Sequence, residues 1–128
     1  MSNRRSTTPT KRSLDLLRRE GFTAAVVERR LPRCLITVDA FGLFDLIAVR
    51  ADVPGVAGIQ TTTGTNHTSR VRKLLGNPTL RTWLAAGNTA EVWSWAKRRE
   101  RWTCRRQRLA AADFDGTATT AEMIGSDS

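Results

Sequence analysis

Residues 44–50 read FDLIAVR and residues 58–63 read GIQTTT, and these two stretches decide the predicted fold. The first belongs to an apolar run, residues 43–49, which is interrupted by one acid, Asp45, and is typical of a central strand of a sheet. The second is rich in β-branched residues and predicts a further strand over residues 56–63. The sequence therefore predicts two neighbouring strands, with a carboxylate near the start of the first.

The rest of the chain supplies helices and further strands around this pair. Thr8 and Pro9 predict a capped helix start, and Gly21 predicts its end. Strands are predicted over residues 22–29, 35–38, 91–97 and 102–109, helices over residues 65–75 and 80–86, and a turn over residues 52–55 (DVPG). The order predicts an α/β fold, in which helices pack on one sheet.

Charge is distributed unevenly along the 128 residues. All 21 lysines and arginines lie within residues 1–109, whereas four of the 12 acidic residues lie in residues 110–128. The net charge is +9 and the isoelectric point is about 11.3. Such an excess favours a polyanionic partner, and nucleic acid is the usual one. An anionic membrane surface and an acidic protein are the alternatives, although no basic amphipathic helix with a broad aromatic face is evident.

Composition indicates one domain with loose ends. We expect a flexible basic N-terminus (residues 1–7), a nucleic-acid-binding domain (residues 8–109) and an acidic, disordered tail (residues 110–128). Cys34 and Cys104 form no metal-ligand cluster with the one histidine, and we interpret them as reduced thiols unless the fold brings them together. The start lacks the apolar stretch of a secretory signal, so we expect a cytoplasmic protein, bacterial or phage-encoded.

Asp45 is the first candidate for chemistry. A carboxylate within LFDLIAV must be compensated by a metal ion, a set of hydrogen bonds or an arginine. Gln60 and Thr62 alternate on the next strand and therefore share one of its faces. Phosphodiester hydrolysis needs oxygen ligands that hold Mg²⁺ close to a phosphate. The alternative is that Asp45 is a structural acid, satisfied by hydrogen bonds in a non-catalytic fold.

Residues 14–73 resemble the PD-(D/E)XK nuclease superfamily, and within it the small Holliday-junction-resolvase-like members. The shared order is a helix, Gly-Phe, a strand, an acid-bearing strand, a turn, a second motif strand and a helix. Phe44-Asp45 stands where the family has Pro-Asp, and Gln60-Thr61-Thr62 stands where it has (Asp/Glu)-X-Lys. The resemblance implies a restriction-endonuclease-like fold, with a single mixed β-sheet of four to five strands flanked by helices, and a homodimer.

The same resemblance implies a set of site residues and a metal. Asp45 and Gln60 would bind Mg²⁺ or Mn²⁺, Thr62 would line the catalytic site, and Glu28 and Asp39 would be additional metal ligands. Gln60 replaces an acid, but its amide oxygen can still bind a cation. Thr62 replaces the lysine that orients or activates water, and threonine carries no positive charge. Arg70 or Lys73 on the following helix could take the place of that lysine.

Residues 61–73 (TTTGTNHTSRVRK) form a second candidate site. Hydroxyl side chains, a helix start and arginines together are suited to binding a phosphate. The candidate nucleic-acid-binding residues are Asn66, Ser69, Arg70, Arg72 and Lys73. A capped helix with a solvated face is the alternative. His67 is a general base, a phosphate contact or a simple surface residue on sequence grounds.

Four tryptophans lie near the basic C-terminal half of the domain. Trp93, Trp95 and Trp102 alternate in the predicted hairpin, beside the basic residues 97–101 and 105–108. They would form a core or dimer-interface face, or stack on the bases of distorted or single-stranded DNA. Trp83 has helical spacing with Leu80, which indicates a core position.

These observations favour a metal-dependent endodeoxyribonuclease that acts on branched or otherwise structured DNA. The alternative is a DNA-binding protein that keeps the nuclease fold without its catalysis. A third hypothesis is an interaction protein whose basic face binds an acidic protein.

Overall fold

The computed structural model describes residues 8–31 and 36–115. The elements follow in the order α1 (Pro9–Arg19), β1 (Thr23–Val26), β2 (Arg29–Leu31), β3 (Ile36–Val38), β4 (Leu46–Arg50), β5 (Val53–Thr63), α2 (His67–Leu75), α3 (Thr79–Ala85), β6 (Thr89–Arg98) and β7 (Arg101–Leu109). Short 3-10 turns at Gly64–Asn66 and Ala111–Asp115 precede α2 and follow β7. None of the helices in the described residues is both long and apolar enough to cross a membrane.

Five strands form one mixed sheet in the order β1-β4-β5-β6-β7. β5 and β6 are parallel and are connected through α2 and α3, while the other neighbours are antiparallel. A parallel pair needs such a crossover, because a tight turn cannot return the chain to the same end of the sheet. The predicted α/β fold, with a mixed sheet of four to five strands flanked by helices, is confirmed.

Two apolar clusters lie on opposite faces of the sheet. On one face, Leu14 and Leu17 of α1 pack against Leu46, Ile59 and Trp93. On the other face, a second cluster joins α2 and α3 to β6 and β7. Its fully buried members include Leu74, Leu80, Val92 and Leu109. Successive residues of a strand point to opposite faces, so β5 and β6 contribute to both sides of the sheet.

The start of α1 matches the prediction. The Thr8 side chain accepts a hydrogen bond from the Lys11 N–H at 3.1 Å, and Pro9 is the first helical residue. The helix ends at Arg19, and Gly21 follows in the left-handed region with a φ of 90°. Only glycine adopts this conformation without strain, so the chain can reverse here into β1.

The prediction of one strand over residues 22–29 was wrong. β1 ends at Val26, because the N–H groups of Val27 and Glu28 both bind the Asp45 carbonyl and turn the chain away from the sheet. β2 then pairs with β3 in a separate two-stranded sheet.

The predicted turn over residues 52–55 was also wrong. β5 already begins at Val53, so Pro54 and Gly55 lie inside the strand and the turn lies at residues 51–52. A hydrogen bond from the Val56 N–H to the Asn88 side chain at 2.9 Å helps to hold the start of this long strand.

The expectation of disorder from residue 110 onward was wrong for the first part of the tail. Asp113 is buried and its Oδ2 accepts a hydrogen bond from the Ala110 N–H at 2.8 Å. Phe114 packs against the second apolar cluster and beneath the Arg81 guanidinium. The domain therefore extends to residue 115 at least, while residues 1–7 and 116–128 lie outside the described part.

The prediction of reduced thiols is confirmed for one of the two cysteines. Cys104 on β7 is a free thiol, and burial raises its pKa to about 12. A protonated thiol in this setting is a weak nucleophile. Cys34 lies outside the described residues.

Candidate functional site

The site begins where β4 is shorter than its neighbour β5. β4 begins at Leu46, which lies opposite Ile59, whereas β5 continues to Thr63. Beyond Ile59, β5 stays paired with β6 on one side only. Residues 60–63 therefore present an open strand edge, and side chains from both faces of the sheet can reach the same space.

Asp45 immediately precedes β4 and is fixed by its backbone from two sides. Its N–H donates to the Ile59 carbonyl at 2.9 Å, and its carbonyl accepts from Val27 at 2.8 Å and from Glu28 at 3.3 Å. The strand predicted over residues 43–49 therefore starts later than expected, but the acid is held as firmly as a strand residue.

Phe44 adds a packing constraint next to Asp45. Its ring is fully buried and lies over Gly58 so closely that a Cβ at position 58 would approach ring carbons to 2.5 Å. Glycine is needed here because of this close approach, since protein interiors are close-packed. The packing of Phe44 on Gly58 thus anchors the acid that follows it.

The Asp45 carboxylate is 8% exposed and bonded through one oxygen. Its Oδ2 accepts from the Thr61 N–H at 3.0 Å and from the Thr61 hydroxyl at 3.4 Å. Burial raises the pKa of Asp45 to about 6, against the lowering effect of the Thr61 N–H; Glu28 and Asp39 raise it further and Arg70 lowers it. Oδ1 has no hydrogen-bond partner among the described residues, so one oxygen remains available to a ligand.

A cavity of about 290 Å³ is bordered by Asp45. It brings together residues that are far apart in the sequence. Its walls are the first turn of α1 (Pro9 and Thr10), the acids Glu28 and Asp45, residues 60–63 of β5, and the start of α2 (Asn66 and Arg70). This volume accommodates several water molecules, and so a hydrated ion or a phosphate group.

Gln60 and Thr62 are both buried and both line the cavity, as their alternation on β5 predicts. The Gln60 amide nitrogen donates to the Leu43 carbonyl at 2.6 Å, which turns its Oε1 towards Arg70, at 3.5 Å from Nη1. Within the described residues the Thr62 hydroxyl forms no hydrogen bond. The positive charge next to Gln60 therefore comes from Arg70 of α2, whereas Thr62 is an uncharged lining residue of the cavity.

Thr61 and the first turn of α1 line the cavity but were not among the predicted site residues. Thr61 is the direct partner of Asp45, and its hydroxyl lies 3.0 Å from the Thr10 hydroxyl. Thr61 belongs to the opposite face of β5 from Gln60 and reaches Asp45 only because the strand edge is open. The run of threonines at residues 61–63 was the available signal in the sequence. Alternation along a strand, however, places Thr61 on the face opposite Gln60 and would have excluded it from the predicted site.

The donor chemistry of the cavity fits a hard divalent cation. It offers the open Asp45 oxygen, the Glu28 carboxylate and the Gln60 amide oxygen, and Mg²⁺ is usually held by one or two carboxylates together with water and substrate phosphate. Among residues 8–31 and 36–115, however, no three or more His, Cys, Asp or Glu side chains lie close enough to form a metal site alone. Any ion here would depend on the amide, on water and on substrate.

Other predicted site residues lie elsewhere. Asp39 does not line the cavity, and its Oδ1 accepts from the Gly42 N–H at 2.8 Å within a turn. Ser69 donates to the Asn66 carbonyl at 3.0 Å on the exposed side of α2, and Lys73 is also exposed. Arg72 borders a different, mostly apolar cavity of about 190 Å³.

His67 is a structural residue, and its interpretation as a surface residue was wrong. It is 1% exposed, with Nδ1 at 2.7 Å from the Ser94 hydroxyl and Nε2 at 2.9 Å from the Gln107 amide oxygen. Because an amide oxygen only accepts, Nε2 carries the proton and Nδ1 accepts from Ser94. Burial lowers the pKa of His67, so the ring is neutral at physiological pH.

The tryptophans divide into core and surface. Trp93 and Trp95 are buried, and Trp95 donates from its indole N–H to the Ser13 hydroxyl of α1 at 2.8 Å. Trp83 is half-buried and packs against Phe44, with 4.8 Å between ring centroids. Trp102 is 45% exposed. The core interpretation therefore holds for three of the four.

Neither protein-family models nor curated protein sequences match this chain. The chemical interpretation of the cavity therefore depends on the residues that line it.

Proposed function

We propose that this protein is a Mg²⁺- or Mn²⁺-dependent endodeoxyribonuclease that acts on branched or otherwise structured DNA. The observation that carries the proposal is the shared cavity of Asp45, Gln60 and Arg70 at the open edge of β5. An acid, an oxygen ligand and a cation in one partly enclosed space are what phosphodiester hydrolysis requires. The net charge of +9 supports a polyanionic substrate.

The order of elements also supports the proposal. α1, β1, an acid before β4, the motif strand β5 and then α2 follow the order on which the resemblance to resolvase-like PD-(D/E)XK nucleases rests. In this proposal Asp45 corresponds to the motif aspartate of that family, and Gln60 and Thr62 correspond to its second acid and its lysine.

Each cavity residue has a distinct part in this proposal. Asp45 and Gln60 would hold the ion, with Glu28 as an additional ligand. When bound, the ion would supply the polarisation of water and phosphate that the reaction needs. Arg70 would hold the scissile phosphate and contribute the positive charge that Thr62 lacks, helped by the N-terminal end of α2. Thr62 would leave room for the attacking water.

The pKa of Asp45 bears on its competence as a ligand. Only an ionised carboxylate binds Mg²⁺ well, so a pKa of about 6 makes the site competent above that pH and weak below it. A bound cation would in turn favour the ionised form, because opposite charges stabilise each other in a buried site.

The second candidate is a DNA-binding protein that retains the fold without catalysis. It is favoured by one observation, namely that the described residues contain no cluster of three metal-binding side chains. In this case Arg70 would neutralise Asp45 and the basic surface alone would bind DNA. This candidate predicts salt-sensitive binding without cleavage in any divalent metal.

The test is incubation with four-way-junction DNA and with supercoiled plasmid, in Mg²⁺, Mn²⁺ or EDTA. We expect cleavage that requires the metal and is lost in Asp45→Asn, while the matched variant Asp52→Asn keeps it, because Asp52 is an exposed partner of Arg50 remote from the cavity. Cleavage that survives Asp45→Asn would disprove this site. Tight DNA binding without nicking would favour the second candidate. A lack of DNA affinity at low salt would contradict both candidates.

A further inference from the structure

We infer that Trp102 is a stacking platform for an unpaired base and that the DNA substrate reaches the Asp45 cavity with a single-stranded segment. This inference rests on the proposed DNA binding. It defines a second contact, on β7, and narrows the substrate class to DNA with unpaired bases.

Trp102 differs from the other tryptophans in its exposure and position. It is 45% exposed, whereas Trp93 and Trp95 are buried. β7 is the last strand of the sheet and pairs only with β6, where Trp102 lies directly opposite Lys97. Arg12 covers one face of the indole, and the part of the ring that stays exposed is where an unpaired base could stack.

Cations surround the Trp102 ring. The Arg12 guanidinium carbon lies 3.5 Å from the ring centroid, and the Lys97 ammonium lies 5.8 Å from it. These cations can bind the phosphates on either side of a stacked base, and such a combination of aromatic ring and basic groove is how single-stranded nucleic acid is generally bound. The charge around this ring therefore favours a nucleic acid strand over an apolar peptide.

The hairpin next to Trp102 concentrates further positive charge. Arg98 and Arg101 pair across the strands, and the two residues of the turn, Arg99 and Glu100, both adopt left-handed backbone conformations with φ of 51° and 67°. Asparagine and glycine are normally preferred in such turns. An arginine at this position extends the basic surface at the expense of backbone strain.

Trp102 borders a second cavity that shares a lining residue with the Asp45 cavity. This second cavity, of about 510 Å³, is lined by Thr63, Gly64, Trp95, Arg98 and Trp102 among others. Thr63 also lines the Asp45 cavity, so the two spaces adjoin at the end of β5. Helix α1 spans the same distance, since Thr10 borders the Asp45 cavity and Arg12 covers Trp102.

The separation suits a short run of nucleotides. β5 and β7 are two strand spacings apart, or about 10 Å. A strand of nucleic acid advances about 3.4 Å for each stacked nucleotide, so roughly three nucleotides lie between the cavity and Trp102. A rigid duplex has its bases paired and cannot place one on the indole, whereas a branch point or single-stranded segment can.

The experiment compares binding of two probes by fluorescence anisotropy at low salt, about 50 mM. One probe is an oligothymidylate of about 16 nucleotides, and the other is a duplex of the same length. We expect Trp102→Ala to weaken binding of the single strand about tenfold, to change duplex binding less than about twofold, and Trp102→Phe to retain most of the affinity. Phe41→Ala is the matched control, because Phe41 is also exposed but packs near Trp83 in a different part of the fold.

Three outcomes would overturn the inference. The first is unchanged single-strand affinity in Trp102→Ala. The second is an equal loss for single strand and duplex, which would indicate a general electrostatic or folding effect. The third is a wild-type dimer that dissociates in Trp102→Ala with unchanged DNA affinity, which would make this face a protein interface. If wild-type protein binds duplex but Trp102 has no effect, the inference fails while the proposed function stands; if it binds neither probe, both fail.

Discussion

The Asp45 carboxylate accepts a hydrogen bond from the backbone N–H of Thr61 at 3.0 Å, at the edge of β5 that extends beyond the start of β4. This contact holds one carboxylate oxygen against the sheet edge, while Oδ1 has no hydrogen-bond partner among the described residues and Asp45 borders the cavity. A backbone donor cannot be removed by mutation of a side chain, so the geometry of Asp45 is robust even though its charge is unfavourable.

Asp45→Asn should stabilise the protein at neutral pH while abolishing its metal response. The pKa of Asp45 is raised from 3.8 to about 6, so the folded state binds a proton more tightly than the unfolded state does. The penalty of the ionised carboxylate therefore develops as the pH rises from about 4 to above 6. Above that range the variant should be more stable by about 2–3 kcal/mol, since a tenfold change in proton affinity corresponds to about 1.4 kcal/mol. Urea unfolding at several pH values measures the difference.

The control for this prediction is Asp52→Asn, which removes the same charge from an exposed position. The hydrogen bond from Arg50 lowers the pKa of Asp52, so this variant should gain no stability at neutral pH. A stability gap between Asp45→Asn and wild type that persists at pH 4, or a loss of stability at pH 7.5, would contradict the assignment of an unfavourable buried charge.

Arg70 should be required for the proposed cleavage. Arg70→Ala removes the cation next to Gln60 and Asp45, so it should raise the pKa of Asp45 further and slow cleavage by about 100-fold, the usual effect of losing one charge-stabilising group. Arg70→Lys should recover part of the rate. Arg81→Ala is the control, because Arg81 lies on α3 and contacts Phe114. Equal rates for the two alanine variants would remove Arg70 from the site.

The pKa of His67 should lie below the ordinary value for histidine, and the residue should stabilise the fold mainly above pH 6.5. Burial lowers its pKa, so the unfolded chain binds the proton first, and stability from this residue falls as the pH decreases through about 6.5. His67→Gln should be less stable by about 1–3 kcal/mol at pH 7.5, since Ser94 or Gln107 would lose a buried partner, and the gap should narrow in acid.

NMR gives a direct measurement for His67, because the chain contains one histidine. The imidazole signals should titrate with a midpoint below the ordinary value for histidine. A titration midpoint near 6.5 would show instead that the ring is accessible and outside the hydrogen-bonded pair.

Gly58→Ala should disturb the site through packing. A Cβ at position 58 would overlap the Phe44 ring, so we expect a loss of about 1–3 kcal/mol in the free energy of unfolding and a displaced Asp45. Gly76→Ala is the control, because a Cβ there would meet its nearest atom at 3.4 Å and the backbone φ is −84°. Addition of Phe44→Leu to Gly58→Ala should restore part of the stability. Equal unfolding midpoints for the two glycine variants would contradict the close approach of Phe44.

The sequence by itself determined the layout of the elements. The apolar run before Arg50, the β-branched residues before Gly64 and the capped start at Thr8 all encode local preferences that survive in the folded chain. Alternation along β5 correctly placed Gln60 and Thr62 on one face, because side-chain direction in a strand has a fixed period. The class of fold followed from the order of these elements.

Only the tertiary structure decided which residues share the cavity. β4 begins at Leu46, one position after the acid, so the edge of β5 beyond Ile59 is not paired with β4. This open edge lets Thr61 reach Asp45 from the other face of β5. Neither α1's first turn nor Arg70 is near Asp45 in the sequence, and His67 was drawn into the core by partners 27 and 40 residues away. Local periodicity encodes which way a side chain points, whereas its neighbours depend on how long each strand stays paired and how the helices pack, and those are properties of the whole chain.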